Sequence, residues 1–238
     1  MATVLDLWSR ELANKWSEYV ANATERWDHI YARGFGEMLD GATQRARHYV
    51  VAGLVADVCG HAPRVLDVGC GFGTTYRLLR RLAPVYTGID LSSRAVQRCR
   101  DRFGDDPFCT FEVAAFERYE PRGTFDAIIL SEVLQYFPLR KARAVIDKAV
   151  AHLSGPRGVL VIALSNPLKA PLLWAACRAA LPDPLQRISV NTRAIPLTGD
   201  RWTVKAYTCL KDEIDEEPLE PPISGVDGPT LRWREKVS

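Results

Sequence analysis

A short hydrophobic run that leads into a glycine-rich turn, RVLDVGCGFGTTYRLL at residues 64–79, most constrains the fold of this 238-residue chain. Residues 64–68 are typical of a buried strand, and residues 74–81 are typical of a helix. Between them stand Gly69, Gly71 and Gly73. Glycine adopts backbone conformations closed to other residues and lets a ligand come close. The pattern therefore predicts a strand–turn–helix unit with a nucleotide-like ligand at the turn.

Further strands alternate with helical patterns along the chain. The predicted strands are residues 85–89, 109–113, 125–130 and 158–164. Such alternation indicates a parallel sheet covered by helices on both faces. Residues 188–210, ISVNTRAIPLTGDRWTVKAYTCL, predict two strands around a Gly-Asp turn. We therefore expect a Rossmann-like, doubly wound, mostly parallel sheet of about seven strands, with an antiparallel hairpin at one edge.

Three segments differ in character. In residues 1–41, apolar residues recur at steps of three and four, including Trp8, Trp16 and Trp27, which predicts a helix broken at Gly34 and Gly36. This extension could pack on the domain, form a lid over a pocket, or provide a surface for a homodimer. Residues 42–210 are predicted to form the main domain. Residues 211–238 hold eight acidic and four basic residues and four prolines, which indicates a mostly irregular acidic tail.

Composition excludes several classes of protein. The net charge of +2 gives no indication of a nucleic-acid partner. No apolar stretch reaches the roughly 20 residues of a membrane span, and residues 1–10 lack the pattern of a secretory signal. The six cysteines form no C-x-x-C pair and no zinc-ligand spacing, so free thiols and a cytoplasmic location are expected.

Acidic residues narrow the choice of ligand. Asp67 stands two residues before the first glycine, where it would repel a pyrophosphate but suit an ammonium group. Thr74 replaces the third glycine of the dinucleotide fingerprint, which disfavours an NAD-dependent oxidoreductase. No Gly-Lys-Ser/Thr follows, which excludes a Walker-type phosphate site. Asp90, at the end of the second strand, is placed to accept hydrogen bonds from ribose hydroxyls.

The segments VLDVGCGFG and YTGIDLS resemble those of class I S-adenosylmethionine-dependent methyltransferases over residues 42–165. The resemblance implies S-adenosylmethionine as cofactor, with its ribose on Asp90 and its adenine against Leu91. The implied turn under its amino-acid end is Asp67, Gly69, Cys70, Gly71 and Gly73.

The chain departs from the family pattern after the third strand. Many members have an acid near the adenine amino group at a position where this chain has Ala114, Ala115 and Phe116. We therefore expect backbone groups and Phe116 to hold the adenine.

The exit of the fourth strand, FDAIILSEVLQYFP at residues 125–138, bears on the methyl acceptor. It resembles nodulation-type N-methyltransferases, which act on sugar amines, and a wider set of bacterial methyltransferases from polysaccharide and glycolipid loci. The segments RHYVVAGL and RWTVKAY fit the second group. The resemblance implies methylation of a hydroxyl of a saccharide or glycoconjugate. An amino sugar or other small amine, and a non-catalytic cofactor-binding regulator, are the alternatives.

Few side chains suit the chemistry of the acceptor. Ser131 and Glu132 are predicted to leave the sheet beside the reactive methyl, Ser131 toward the cofactor and Glu132 as a general base. Glu132 could instead cap the following helix or contact the cofactor. His48 is a second candidate base, and Tyr136 is a candidate donor to a substrate oxygen. The adjacent acids at residues 105–106 precede the third strand, away from this edge, so no metal is expected.

Overall fold

The structure is a computed structural model that describes residues 23–165, 169–191 and 201–208. Its seven-stranded sheet has the order β3-β2-β1-β4-β5-β7-β6. The strands are β1 (Arg64–Val68), β2 (Val85–Asp90), β3 (Cys109–Val113), β4 (Ala127–Ser131), β5 (Val159–Leu164), β6 (Gln186–Asn191) and β7 (Arg201–Thr208). Strands β1 to β5 are parallel, and β7 runs antiparallel between β5 and β6. The predicted fold class is thereby confirmed.

Helices cover both faces of this sheet. They are α1 (Ala23–Ala32), α2 (Phe35–Leu39), α3 (Ala42–Cys59), α4 (Thr74–Leu79), α5 (Ser93–Phe103), α6 (Leu139–Ala151) and α7 (Ala170–Ala180). One apolar core joins α3, α4 and α5 to the sheet, and a second joins α6 and α7 to its other face. The central strands β4 and β5 are buried along their whole length, as expected for strands between two helical layers.

Helix α5 shows how local sequence places an element beside the ligand-binding edge. The Ser92 hydroxyl accepts a hydrogen bond from the Ala95 amide at 3.1 Å and so caps the helix. Its buried residues, Ala95, Val96, Cys99 and Phe103, recur at helical spacing. The start of α5 is consequently fixed directly after Asp90.

Two expectations about helices need correction. Gly34, with φ of +87°, ends α1 as predicted, but Gly36 lies inside α2 against the ring of Phe72. The helix after the glycine turn ends at Leu79, and residues 80–82 form a 3₁₀ turn. Trp8, Trp16, the Gly-Asp turn at residues 199–200 and the tail at 211–238 lie outside the described residues.

Other sequence expectations concern chemistry and membranes. Cys59, Cys70, Cys99, Cys109 and Cys177 are free thiols, while Cys209 lies outside the described residues. In the described ranges, no helix has the length and apolar character needed to cross a membrane.

We predict opposite effects for two glycine-to-alanine substitutions. A Cβ at Gly88 in β2 would lie 2.8 Å from the Phe111 ring, so G88A should lower the free energy of unfolding by about 1–3 kcal/mol. Gly53 in α3 has open space around its Cβ position, so G53A should raise it by about 0.5–1 kcal/mol. Urea unfolding of both variants checks this, and equal effects would contradict the packing described.

Candidate functional site

A cavity of about 360 Å³ lies at the carboxyl ends of β1 and β4. These neighbouring strands sit where the strand order reverses, which is the position of ligand sites in doubly wound sheets. The glycine turn and the ends of β2 and β4 form its floor, and α1, α2 and α3 contribute its other walls. The topology therefore gathers the predicted motifs at one place.

The glycine turn is held by the end of β2. The amides of Gly69 and Cys70 both donate to the Ile89 carbonyl, at 2.7 and 3.0 Å. Gly69 and Gly71 have φ of +71° and +55°, in the left-handed region that favours glycine. A Cβ at Gly69 would approach a Val133 methyl group to 2.7 Å. The turn thus leaves a concave space over its backbone, here called the cradle, which a side chain would fill.

Asp90 is fixed by backbone amides at the mouth of this cradle. Its Oδ2 accepts from the Gly71 amide at 3.0 Å, and its Oδ1 accepts from the Ser92 amide at 2.9 Å. Burial raises the pKa of this carboxyl to about 6, against the lowering effect of both amides. The Tyr31 side chain also hydrogen-bonds to this carboxyl, so one of its roughly four acceptor positions remains for a hydroxyl donor of a ligand.

Asp67 is engaged inside the protein. Its Oδ2 accepts a hydrogen bond of 2.5 Å from the Tyr86 hydroxyl. Complete burial raises its pKa to about 7, although the Tyr86 bond and the charge of Arg47 oppose that shift. The carboxyl lines the cavity and at the same time joins β1 to β2.

A cation that sequence reasoning missed stands beside this carboxyl. Arg47 on α3 is 3% exposed, and its guanidinium donates to the Ser131 hydroxyl at the end of β4. Its Nη2 lies 3.2 Å from Nε2 of His48. The only sequence signal is its position directly before the candidate His48.

His48 itself is held on both sides. Its Nδ1 lies 3.1 Å from the Thr75 hydroxyl. Because a guanidinium only donates, Nε2 accepts from Arg47 and Nδ1 carries the proton. Burial and the neighbouring Arg47 lower the pKa of His48 to about 3. This placement favours His48 as a neutral imidazole that orients Arg47. It disfavours His48 as a general base.

Glu132 stands directly after β4 in a strained conformation. Its φ of +62° is rare for a residue with a side chain and costs of order 1–3 kcal/mol. Its Oε2 accepts from Gln135 Nε2 at 3.1 Å and from the Ser165 hydroxyl at 2.5 Å. Among the residues described, none donates to Oε1. The strained backbone therefore presents an anchored carboxylate with one open oxygen.

Helix α1 lies across this cavity. Asp28 accepts from the hydroxyls of Ser92 and Ser93, both at 2.6 Å, and from the Arg94 amide at 3.1 Å. The ring centroids of Trp27 and Tyr136 are 4.8 Å apart in an edge-to-face contact. The placement agrees with the lid alternative, which remains a prediction.

Most of the predicted site residues meet around the cavity. Its lining includes His48, Asp67, Gly69, Cys70, Gly71, Asp90, Leu91, Phe116, Ser131, Glu132 and Tyr136. Gly73 instead stands at the N-cap of α4, with Phe103 2.8 Å from its Cβ position. Phe116 is 3% exposed, and the Lys148 ammonium lies 5.4 Å from its ring centroid. Across the parts of the chain described, no group of three or more His, Cys, Asp or Glu residues is arranged to hold a metal.

The geometry agrees with the match to a known family. Residues 65–156 match the family model described as "Methyltransferase domain". Residues 65–156 of this chain form a methyltransferase domain. The match spans the glycine turn, Asp90 and the exit of β4, so the motifs that carried the resemblance lie inside it.

The curated relatives align with only part of this chain. An uncharacterized methyltransferase of Mycobacterium tuberculosis is 28% identical over 122 residues, which span 49% of this chain and 60% of the relative. A magnesium-protoporphyrin O-methyltransferase of Synechocystis is 30% identical over 152 residues, spanning 58% of this chain and 63% of that protein. The chain thus spans about three fifths of the length of these relatives.

A solved structure shares the fold. The N-methyltransferase NodS from Bradyrhizobium japonicum, in complex with S-adenosyl-L-homocysteine, superposes with a TM-score of 0.61 at 20% identity. The superposition covers 71% of this chain and 88% of NodS. The resemblance to nodulation-type enzymes therefore extends to the fold.

We predict that Asp67 makes stability fall as the pH rises toward 7. Its pKa is about 7 in the folded protein and about 3.8 when exposed, so the folded state holds this proton more tightly. The stabilisation is full below about pH 4 and is lost as the pH rises through 7. Between pH 5 and pH 7, the free energy of unfolding of the parent protein should fall by about 1–3 kcal/mol more than that of D67N.

Urea unfolding at several pH values measures this difference. D147N is the matched control, since the Asp147 side chain is 51% exposed. Parallel pH profiles for the parent and D67N would contradict the assignment.

Proposed function

We propose that this protein transfers a methyl group from S-adenosylmethionine to a hydroxyl of a saccharide or glycoconjugate, releasing S-adenosylhomocysteine. The methyltransferase domain supports the reaction class. The observation that carries the acceptor chemistry is Glu132, which lines the cavity after β4 and whose buried Oε1 has no hydrogen-bond donor among the described residues. Aromatic side chains stand at the same end of the cavity, where they suit the apolar faces of a sugar ring.

The site has donors and acceptors that fit the cofactor. Asp90 suits the ribose hydroxyls, and Leu91 and Phe116 offer apolar surface to the adenine. The glycine turn leaves room for close approach of the amino-acid end. When bound, S-adenosylmethionine supplies a sulfonium-activated methyl group for in-line displacement. The protein's main task is consequently to hold the acceptor oxygen in line with the methyl carbon and the sulfur.

We assign Arg47 to the carboxylate of the amino-acid end. It is a buried cation at the cavity wall, and Ser131 and His48 fix its orientation. A guanidinium binds a carboxylate through charge-assisted hydrogen bonds, each worth about 1.5–3 kcal/mol.

We predict that R47Q weakens S-adenosylhomocysteine binding at least about tenfold, because the variant loses the charge opposite the carboxylate. Binding of 5′-methylthioadenosine, which has no carboxylate, should change less than about twofold. Calorimetric titration of both ligands measures the difference. Equal losses for the two ligands would remove Arg47 from this role.

In this proposal Glu132 is the group that takes the proton of the acceptor. A sugar hydroxyl has a high pKa, so it must lose its proton as its oxygen bonds to the methyl carbon. Glu132 Oε1 accepts that proton, while the anchors from Ser165 and Gln135 keep the carboxylate in place. The strained φ of Glu132 fits a residue whose position serves chemistry.

An amine is the second candidate acceptor. The fold likeness to NodS, an N-methyltransferase, favours it. An amine needs only to be neutral to react, so it depends less on a base. Loss of the Glu132 charge therefore separates the two acceptors.

We predict that E132Q slows methyl transfer to a sugar hydroxyl at least about tenfold, because a positioned base supplies about 10²–10⁴-fold. The change should leave S-adenosylhomocysteine binding intact. Methyl transfer to a panel of sugars and amino sugars provides the measurement. E120Q is the control, since the Glu120 side chain is 86% exposed.

Other outcomes would redirect the assignment. An unchanged rate in E132Q would remove Glu132 as base, and turnover of amines alone would favour N-methylation. Tight cofactor binding without transfer to any acceptor would favour a non-catalytic regulator.

A further inference from the structure

Two buried oxygens at the acceptor end of the cavity have no hydrogen-bond donor among the described residues. They are Oε1 of Glu132 and Oε1 of Gln135. Gln135 is 9% exposed, and both residues line the cavity. A buried acceptor without a partner costs about 1–3 kcal/mol, and such groups in folded proteins are nearly always satisfied. Their placement beside a cavity indicates that a ligand supplies the donors.

The two oxygens belong to a fixed pair of side chains. Gln135 Nε2 donates to Glu132 Oε2 at 3.1 Å, and Ser165 holds the same oxygen at 2.5 Å. Because the amide nitrogen of Gln135 is the atom bonded to Glu132, the amide oxygen is left without a partner. Lys169 donates to the Gln135 backbone carbonyl at 2.9 Å and steadies the short 3₁₀ turn Leu134–Tyr136, which carries Gln135.

The open groups are two acceptors on adjacent side chains, so they match a ligand with two neighbouring donors. An ammonium group could also offer several N–H donors. Two cations stand close by, however, with Arg47 bonded to Ser131 and Lys169 bonded to Gln135. A cationic ligand would be repelled by these two positive charges, which favours a neutral donor pair.

We infer that Glu132 and Gln135 form a recognition pair for a vicinal diol, in which one hydroxyl donates to Glu132 Oε1 and its neighbour donates to Gln135 Oε1. This inference rests on the proposed function and narrows it to acceptors with hydroxyls on adjacent carbons. Glu132 takes the proton of the reacting hydroxyl, and Gln135 is the specificity residue that contacts the second hydroxyl.

Binding of two simple probes tests the pair without turnover. The protein is loaded with S-adenosylhomocysteine and titrated by NMR with trans-1,2-cyclohexanediol and with cyclohexanol. One additional hydrogen bond of about 1 kcal/mol predicts about fivefold tighter binding of the diol. Equal affinity of the two probes overturns the inference, even if methyl transfer to sugars is observed.

The variant Q135M tests whether Gln135 causes the preference for the diol over cyclohexanol. Q135M keeps the approximate size and removes the amide oxygen, so the diol preference should fall below about twofold. Q97M is the control, because Gln97 lies on α5 bonded to Asp101 and away from the cavity lining. A diol preference that survives in Q135M overturns the inference.

Two further outcomes separate the possible errors. A loss of more than about tenfold in S-adenosylhomocysteine affinity in Q135M would place Gln135 on the cofactor and overturn the inference. Tighter binding of cyclohexylamine than of the diol would also overturn it, in favour of an amine acceptor. A diol preference without transfer to any sugar would refute the proposed function alone and keep the binding pair.

Discussion

The site depends on the way the end of β2 holds the turn after β1. The Ile89 carbonyl accepts from two consecutive turn amides, and the Asp90 carboxylate accepts from a third. These bonds continue the parallel pairing of β1 and β2 beyond the strands themselves. A turn in left-handed conformations would otherwise have many accessible states. Fixing it to a central strand gives the ligand a cradle that is already ordered.

Burial of charge is the cost of this arrangement. Asp67 and Asp90 both lose hydration, which raises the pKa of each toward neutrality. The Tyr86 hydroxyl, backbone amides and the Arg47 charge oppose those shifts. Buried ionisable groups in a cavity are typical of functional sites, because ligand binding can use charges whose hydration is already lost. The same residues that destabilise the empty protein near neutral pH thus prepare it for a polar ligand.

Sequence reasoning found the parts of the site that are local in the chain. The turn and Asp90 follow from residues within one strand–helix–strand unit, where glycine spacing has a direct backbone meaning. Arg47 could not be found in this way, because its partner Ser131 is 84 residues away and only the packing of α3 on the sheet brings them together. The unusual φ of Glu132 is also set by its surroundings, since glutamate itself disfavours it.

The glycines Gly34 and Gly36 show a second limit of reasoning from the local sequence. Gly34 and Gly36 give the same signal of a helix break, yet only Gly34 ends a helix. Gly36 stands where it does because any side chain would collide with Phe72, a contact across the fold. A glycine therefore marks a special backbone or a close approach, and the sequence does not distinguish these two causes.

Helix α1 connects the two ends of the cavity. Tyr31 stands over the turn, with its hydroxyl 3.3 Å from the Cβ position of Gly71, and Trp27 lies against Tyr136 at the acceptor end. Burial raises the pKa of Asp28, but its bonds to the start of α5 outweigh that effect and lower it overall. Its carboxylate therefore stays charged near neutral pH and keeps α1 in place. Because one helix contacts both ends, α1 links the surroundings of the glycine turn to the aromatic side chains beside Glu132.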